Sequence, residues 1–93
     1  MKIYQSRLFE KKVKKMSKAE KGALDREVRN IAEKSNIGEE KKGDLKDIFV
    51  HKFKLKTNLY LLAYRVTGAY LELIMIGSHE NYYRDLKSYL KSR

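Results

Sequence analysis

"DIFVHKFKLKTNLYLLAYRV", residues 47–66, is the stretch from which the rest of the chain can be read. Its first half alternates: Phe49, His51, Phe53 and Leu55 fall on one parity, and Lys52, Lys54 and Lys56 on the other. A period of two is the mark of a β-strand, whose successive side chains leave opposite faces. The spacing predicts a strand over residues 47–56, aromatic and apolar on one side and cationic on the other. Thr57-Asn58 then predicts a two-residue turn, because asparagine tolerates left-handed backbone. Residues 59–66 and 70–76 are two further β-branched and aromatic runs, divided by Thr67-Gly68-Ala69. Together the three runs predict an antiparallel meander. Both faces of its last two strands are apolar, so one face packs on helices and the other needs a separate cover. The C-terminal segment or a partner would supply that cover.

Upstream, Ile3 and Tyr4 open a short strand at Lys2–Gln5. The period changes at Ser6: Phe9, Val13 and Met16 recur at helical spacing, with Lys11, Lys12, Lys14 and Lys15 on the other faces. Ser17 and Glu20 form a capping-box pattern, in which hydroxyl and carboxylate satisfy free backbone donors at a helix start. A second helix follows, with Leu24, Val28 and Ile31 inward and an end near Ser35-Asn36. The two helices predict an αα-hairpin. The segment "NIGEEKKGD", residues 36–44, is charged and turn-rich and reads as a loop. At the other end, Tyr82, Leu86 and Tyr89 form the stripe of a short amphipathic helix from Asn81, with Leu90 alongside. The predicted order is β-α-α-β-β-β-α. This is an α+β fold in which a helical hairpin and a C-terminal helix pack with a small, mainly antiparallel twisted sheet.

At 93 residues the chain is expected to form one domain, residues 1–93. It has no cysteine, which removes disulfide frames and thiolate metal sites and fits a reducing compartment. No apolar run approaches the ~20 residues that span a bilayer, and the opening "MKIYQSRLFEKK" lacks the apolar core of a signal peptide. A soluble, cytoplasmic protein without a membrane role is expected. Twenty-two Lys and Arg against twelve Asp and Glu give +10, a field that favours polyanions and above all nucleic acid. The same charge would also serve solubility or await an acidic protein partner.

The residues able to do chemistry are few. Scattered carboxylates and two isolated histidines offer no zinc or magnesium spacing, so no metal is expected. There is no glycine-rich phosphate loop and no framed nucleophilic serine, and no cofactor is implied. What remains is the lysine strip and a polar junction. Lys52, Lys54 and Lys56 place three ammonium groups along one strand face, where crowding lowers lysine pKa values and one member could act as a base. An ordinary solvated strand face would look the same. His79 follows the last strand and, with an ordinary pKa of about 6.5, can exchange a proton near neutrality. A loop histidine bonded to backbone is the plainer alternative, and His51 reads as a packed strand residue. Tyr82 fits the last helix's apolar stripe, whereas Tyr83 falls off it and is available to stack on a base.

Taken together, "KFKL" before a Y-x-L-x-Y-x-V strand and "GSHENYY" at the end of the last strand resemble the RelE/ParE superfamily of bacterial toxins from toxin–antitoxin systems. The resemblance covers the whole chain in element order and residues 43–90 in pattern. Members similar to RelE cut messenger RNA in the ribosomal A site; others, similar to ParE, inhibit DNA gyrase. The resemblance implies a metal-independent cut in which the ribose 2′-hydroxyl attacks the neighbouring phosphate, with cytoplasmic translation as its target. Lys52 and Lys54 fall where RelE-like toxins carry catalytic and phosphate-binding lysines. His79 falls where YafQ-like members place a catalytic histidine, and Tyr83 matches the aromatic position four residues beyond. RelE carries a strand arginine where this chain has Leu61; Arg65 or Lys56 would have to replace its charge. Lys56, Arg65, Tyr82 and Arg84 complete the expected RNA-binding set. The implied partners are a ribosome carrying mRNA and a cognate antitoxin, acidic and in part disordered when free. A gyrase inhibitor acting by binding and a passive basic RNA-binding module are the alternatives.

Overall fold

The computed structural model describes residues 2–92. Its elements are β1 (Lys2–Gln5), α1 (Arg7–Lys14), α2 (Lys18–Glu33), β2 (Glu39–Glu40), a 3-10 turn (Gly43–Leu45), β3 (Phe49–Leu55), β4 (Asn58–Thr67), β5 (Tyr70–Ser78) and α3 (Tyr82–Lys91). The strands form one five-stranded sheet in the order β1-β5-β4-β3-β2. β1 runs parallel to β5, and the other neighbours are antiparallel. The mixed α+β architecture and the central meander agree with the sequence reading. β2, two residues inside the expected loop, does not appear in that reading; it pairs with the start of β3 at Glu39–Val50 and Glu40–Phe49.

Local chemistry explains the helix starts. The Ser17 hydroxyl accepts from the Glu20 N–H at 3.2 Å, and the Ser17 N–H donates to the Glu20 carboxylate at 2.9 Å. That is the capping box expected from the sequence. Ser6 caps α1 by accepting from the Phe9 N–H, and its own hydroxyl donates to the Ile74 carbonyl. α2 ends at Glu33, two residues short of the expected stop.

The hairpin turn is Lys56-Thr57, not Thr57-Asn58: Leu55 pairs with Asn58, and Lys56 takes the left-handed φ of +58°. Both registers keep the apolar parity, so burial does not choose between them. The observed one sets Phe49 opposite Tyr64 and Phe53 opposite Tyr60, and both ring pairs are stacked, at 5.4 and 6.4 Å. A two-residue shift would forfeit both aromatic cross-strand pairs.

The sheet is covered on both faces. One face carries Phe53, Leu55, Leu62, Leu71 and Ile76 against Phe9, Leu24 and Ile31 of the helical hairpin. The other carries Val50, Leu61, Ala63, Ile74 and Met75 beneath Tyr82 and Leu86 of α3. The cover that the apolar meander required is therefore the C-terminal helix. Among the described residues no helix is long and apolar enough to cross a membrane.

One irregularity sets the geometry of the site. Ala63 pairs with Met75, but the next residue, Tyr64, pairs with Leu73, so β5 holds an extra residue, Ile74. A β-bulge of this kind shifts the parity of everything beyond it. Before it, Leu71 and Leu73 face the helical hairpin; after it, Ile76 does so and Gly77 lies under the Tyr82 ring of α3. Side chains at two helix starts take up bulge carbonyls, Ser6 at Ile74 and Tyr82 at Met75, the latter at 2.6 Å.

Candidate functional site

On the α3 face of the sheet the register aligns the residues singled out from sequence. Lys52 lies opposite Leu61, and Leu61 opposite Gly77; one step further, Lys54 lies opposite Leu59. β5 ends at Ser78, which pairs with Tyr60, and His79 follows in a bend just beyond the strand. The end of β5 and Lys54 of β3 are two strand spacings apart, about 10 Å between backbones. Lys52, Lys54 and His79 are exposed, and the floor between them is apolar, with Leu61 fully buried. The bulge sets which face the end of β5 presents: without Ile74 as the extra residue, Gly77 would face the helical hairpin rather than Tyr82.

Four other expected site residues lie elsewhere or are covered. Tyr82 is buried, at 1% exposure, and burial pushes its phenol pKa up; it is core and cannot stack on a base. Tyr83 is half-buried rather than free, set edge-on to Tyr82 with ring centroids 5.7 Å apart, and its hydroxyl is buried without a hydrogen-bond partner. Lys56 has left the strip for the turn, and its charge acts on Glu20 at the start of α2. Arg65 is bound to Glu72 at 2.8 Å and stands four strand residues beyond Leu61, roughly 13 Å away. It cannot supply the charge absent at Leu61. Arg84 is exposed, with a 3.4 Å contact to Asp85.

His51 belongs to the opposite face, as its parity required. It meets Glu27 of α2 at 2.7 Å and stacks on Phe53, tying the helix to the sheet. Asn81 occupies the N-cap position of α3 in a left-handed conformation, φ +58°, with no side-chain hydrogen bond to the helix. α3 therefore starts without a side-chain cap from Asn81.

The loop before β3 adds two residues that the sequence reading passed over. The Lys41 ammonium lies 2.8 Å from a Glu39 oxygen and 4.9 Å from the centre of the Tyr83 ring. The bond to Glu39 raises the Lys41 pKa, and the same bond, with a contribution from Lys52, lowers that of Glu39. No signal in "NIGEEKKGD" beyond the i, i+2 spacing of Glu39 and Lys41 points to this cluster. Among the described residues no group of three or more His, Asp or Glu side chains is placed to hold a metal ion.

Comparison with known proteins follows the same lines. A search of curated proteins finds no match. The E. coli RelBE toxin–antitoxin complex contains a chain similar in fold, with 21% identity over 85% of this chain and 96% of that one, at a TM-score of 0.68. Isolated E. coli RelE toxin is similar at 20% identity over 95% and 97%, TM-score 0.65. A YoeB/ParE toxin from Agrobacterium tumefaciens is similar at 19% identity over 85% and 99%, TM-score 0.69. The family model described as ParE-like toxin of type II bacterial toxin-antitoxin system matches residues 3–87. A match over nearly the whole chain settles the family: this protein belongs to the ParE-like toxins of type II bacterial toxin–antitoxin systems, within the RelE/ParE superfamily.

Proposed function

We propose that the toxin acts as an RNA endonuclease, cutting mRNA on the ribosome and so inhibiting translation. The observation that supports this reading is the register that sets Lys52 and Lys54 on the α3 face of the sheet, with the exposed His79 following the end of β5 two strands away. The reaction needs a base for the ribose 2′-hydroxyl, an acid for the departing 5′-oxygen and positive charge on the phosphorane. The 2′-oxygen bonds to phosphorus and the bond to the 5′-oxygen breaks, leaving a 2′,3′-cyclic phosphate and a 5′-hydroxyl. His79 exchanges one proton and Lys54 the other, and Lys52 holds the phosphate. Tyr83, with its hydroxyl enclosed, shapes the wall of the site. No cofactor enters the scheme.

The chain's +10 charge supports an acidic antitoxin as its partner, as does its likeness in fold to a chain of the RelBE complex. An antitoxin that covered the strip would silence it. Primer extension on a message in a translation extract tests the proposal. Wild-type protein should create new 5′ ends and His79→Ala should not; an intact message with wild-type protein would end the nuclease reading.

A second reading has its own support. The family match is to ParE-like toxins, and the strand arginine of RelE is here a buried Leu61. On that reading the chain inhibits DNA gyrase by binding. Loss of supercoiling at stoichiometric protein, with mRNA intact, would favour it.

A further inference from the structure

The Glu39–Lys41 pair, read together with Tyr83 and Lys52, suggests a further role for the loop before β3. Lys52 and Lys54 are exposed and free to move, whereas the Lys41 side chain is only 19% exposed. Its ammonium is fixed between the Glu39 carboxylate and the face of the Tyr83 ring. Glu39 pairs with Val50, two residues along β3 from Lys52, and shares the α3 face with it. Its carboxylate is bonded to Lys41 and lies on the strand diagonal from Lys52, and both charges lower its pKa. An oxyanion between two lysines is how a backbone phosphate would be held.

We propose that Lys41 and Lys52 form a second phosphate-binding subsite for RNA, which the Glu39 carboxylate occupies until substrate displaces it. This rests on the reading of the α3 face as an RNA site. Displacement is easy for two reasons. Glu39 is 69% exposed and sits on a two-residue edge strand, so little packing holds it. An exposed ion pair contributes little stability of its own, so a phosphate that gathers both lysines competes well. Lys41 stays in place as Glu39 leaves, because the Tyr83 ring continues to hold its cation. The subsite lies about 8 Å from the Lys52 backbone, one strand over and two residues along. From the Lys54 backbone it is one strand over and four residues along, roughly 14 Å, a few backbone steps of an extended RNA strand. It supplies from the β2 loop a positive charge that Leu61 does not.

Binding of a 2′-O-methyl single-stranded RNA, which cannot be cut, is measured by fluorescence anisotropy over a range of salt. Lys41→Gln should weaken binding several-fold and flatten the log K against log salt slope by about 0.7, one phosphate contact to a single strand. Lys41→Arg should bind as wild type, and Glu39→Gln should bind more tightly than wild type. Thermal melts accompany each variant; if Lys41→Gln does not fold, Glu39→Gln decides, with tighter binding supporting the subsite and unchanged or weaker binding overturning it. A folded Lys41→Gln with wild-type affinity and slope overturns the subsite while leaving the nuclease reading intact. Wild-type protein that binds no RNA overturns the subsite, while the nuclease reading, which places the cut on the ribosome, is decided by primer extension.

Discussion

Removal of one oxygen from Tyr64 should destabilise the chain and loosen the loop that bears Lys41. The Tyr64 ring is fully buried and stacked on Phe49. Its hydroxyl donates to the Ser35 carbonyl at 2.6 Å and accepts from the Gly38 N–H at 3.0 Å. These bonds fix the chain between the end of α2 and β2. Tyr64→Phe keeps the ring and leaves two backbone groups unpaired. Gly38 is buried, so its N–H bears the full desolvation cost, whereas Ser35 is half-buried and gains partial hydration. An orphaned buried donor costs about 1–3 kcal/mol, and with a smaller share for Ser35 the loss is about 2–4 kcal/mol. At about 4–8 °C per kcal/mol for a domain of this size, Tm should fall by roughly 8–32 °C. Urea unfolding gives the cleaner measurement: the midpoint should drop at constant m-value. RNA binding at a temperature where the variant is folded should weaken as it does for Lys41→Gln. A midpoint within error of wild type would refute the assignment of the Tyr64 hydroxyl as the clasp of this loop.

Gly38→Ala tests the same clasp from the other side. A Cβ there would lie 2.7 Å from the Tyr64 oxygen, so the loop or the ring must shift, and a loss of about 1–3 kcal/mol is expected in the same urea experiment. Alkaline titration followed by tyrosinate absorbance tests the Tyr64 and Tyr82 phenols. Burial raises Tyr64 and Tyr82 above the ordinary 10.0, so their contribution to stability is full below pH 10 and falls as pH rises towards their folded values. Tyr64 and Tyr82 should therefore ionise only as the chain unfolds, and all seven tyrosines ionising together before any change in circular dichroism would contradict their burial. Arg65→Ala should leave RNA affinity and its salt slope unchanged, since Arg65 is paired with Glu72 at the far end of β4. A flattened slope would place it in the interface after all.

Much of the fold was legible because its signals are local. Ser17 and Glu20 announce a helix start within one turn, and the Phe-Lys alternation of β3 needs no distant partner to show its parity. The features that escaped are decided by pairing. The hairpin register rests on Phe49 meeting Tyr64 and Phe53 meeting Tyr60, contacts between strands that no local preference encodes. β2 exists because Glu39 and Glu40 find the open edge of β3. The bulge at Ile74 lies in "LELIMI", apolar on both parities, so no break in the pattern betrays it. The face that the end of β5 presents, just before His79, depends on that hidden insertion. The helix stripe showed that Tyr82 packs, but not that Lys41 would arrive from the other side to cover Tyr83.

Whether His79 and Lys54 act on one phosphate is best measured by cleavage rates in a translation extract. Wild type, His79→Ala, Lys54→Ala and the double variant are compared there. Both side chains are exposed, so neither change should alter folding. Each single variant should lose about 10²–10⁴-fold, the worth of a positioned acid or base. Groups that serve one transition state are strongly non-additive, so the double variant should be scarcely slower than the worse single. Single variants as fast as wild type, or losses that simply multiply, would contradict a shared phosphate.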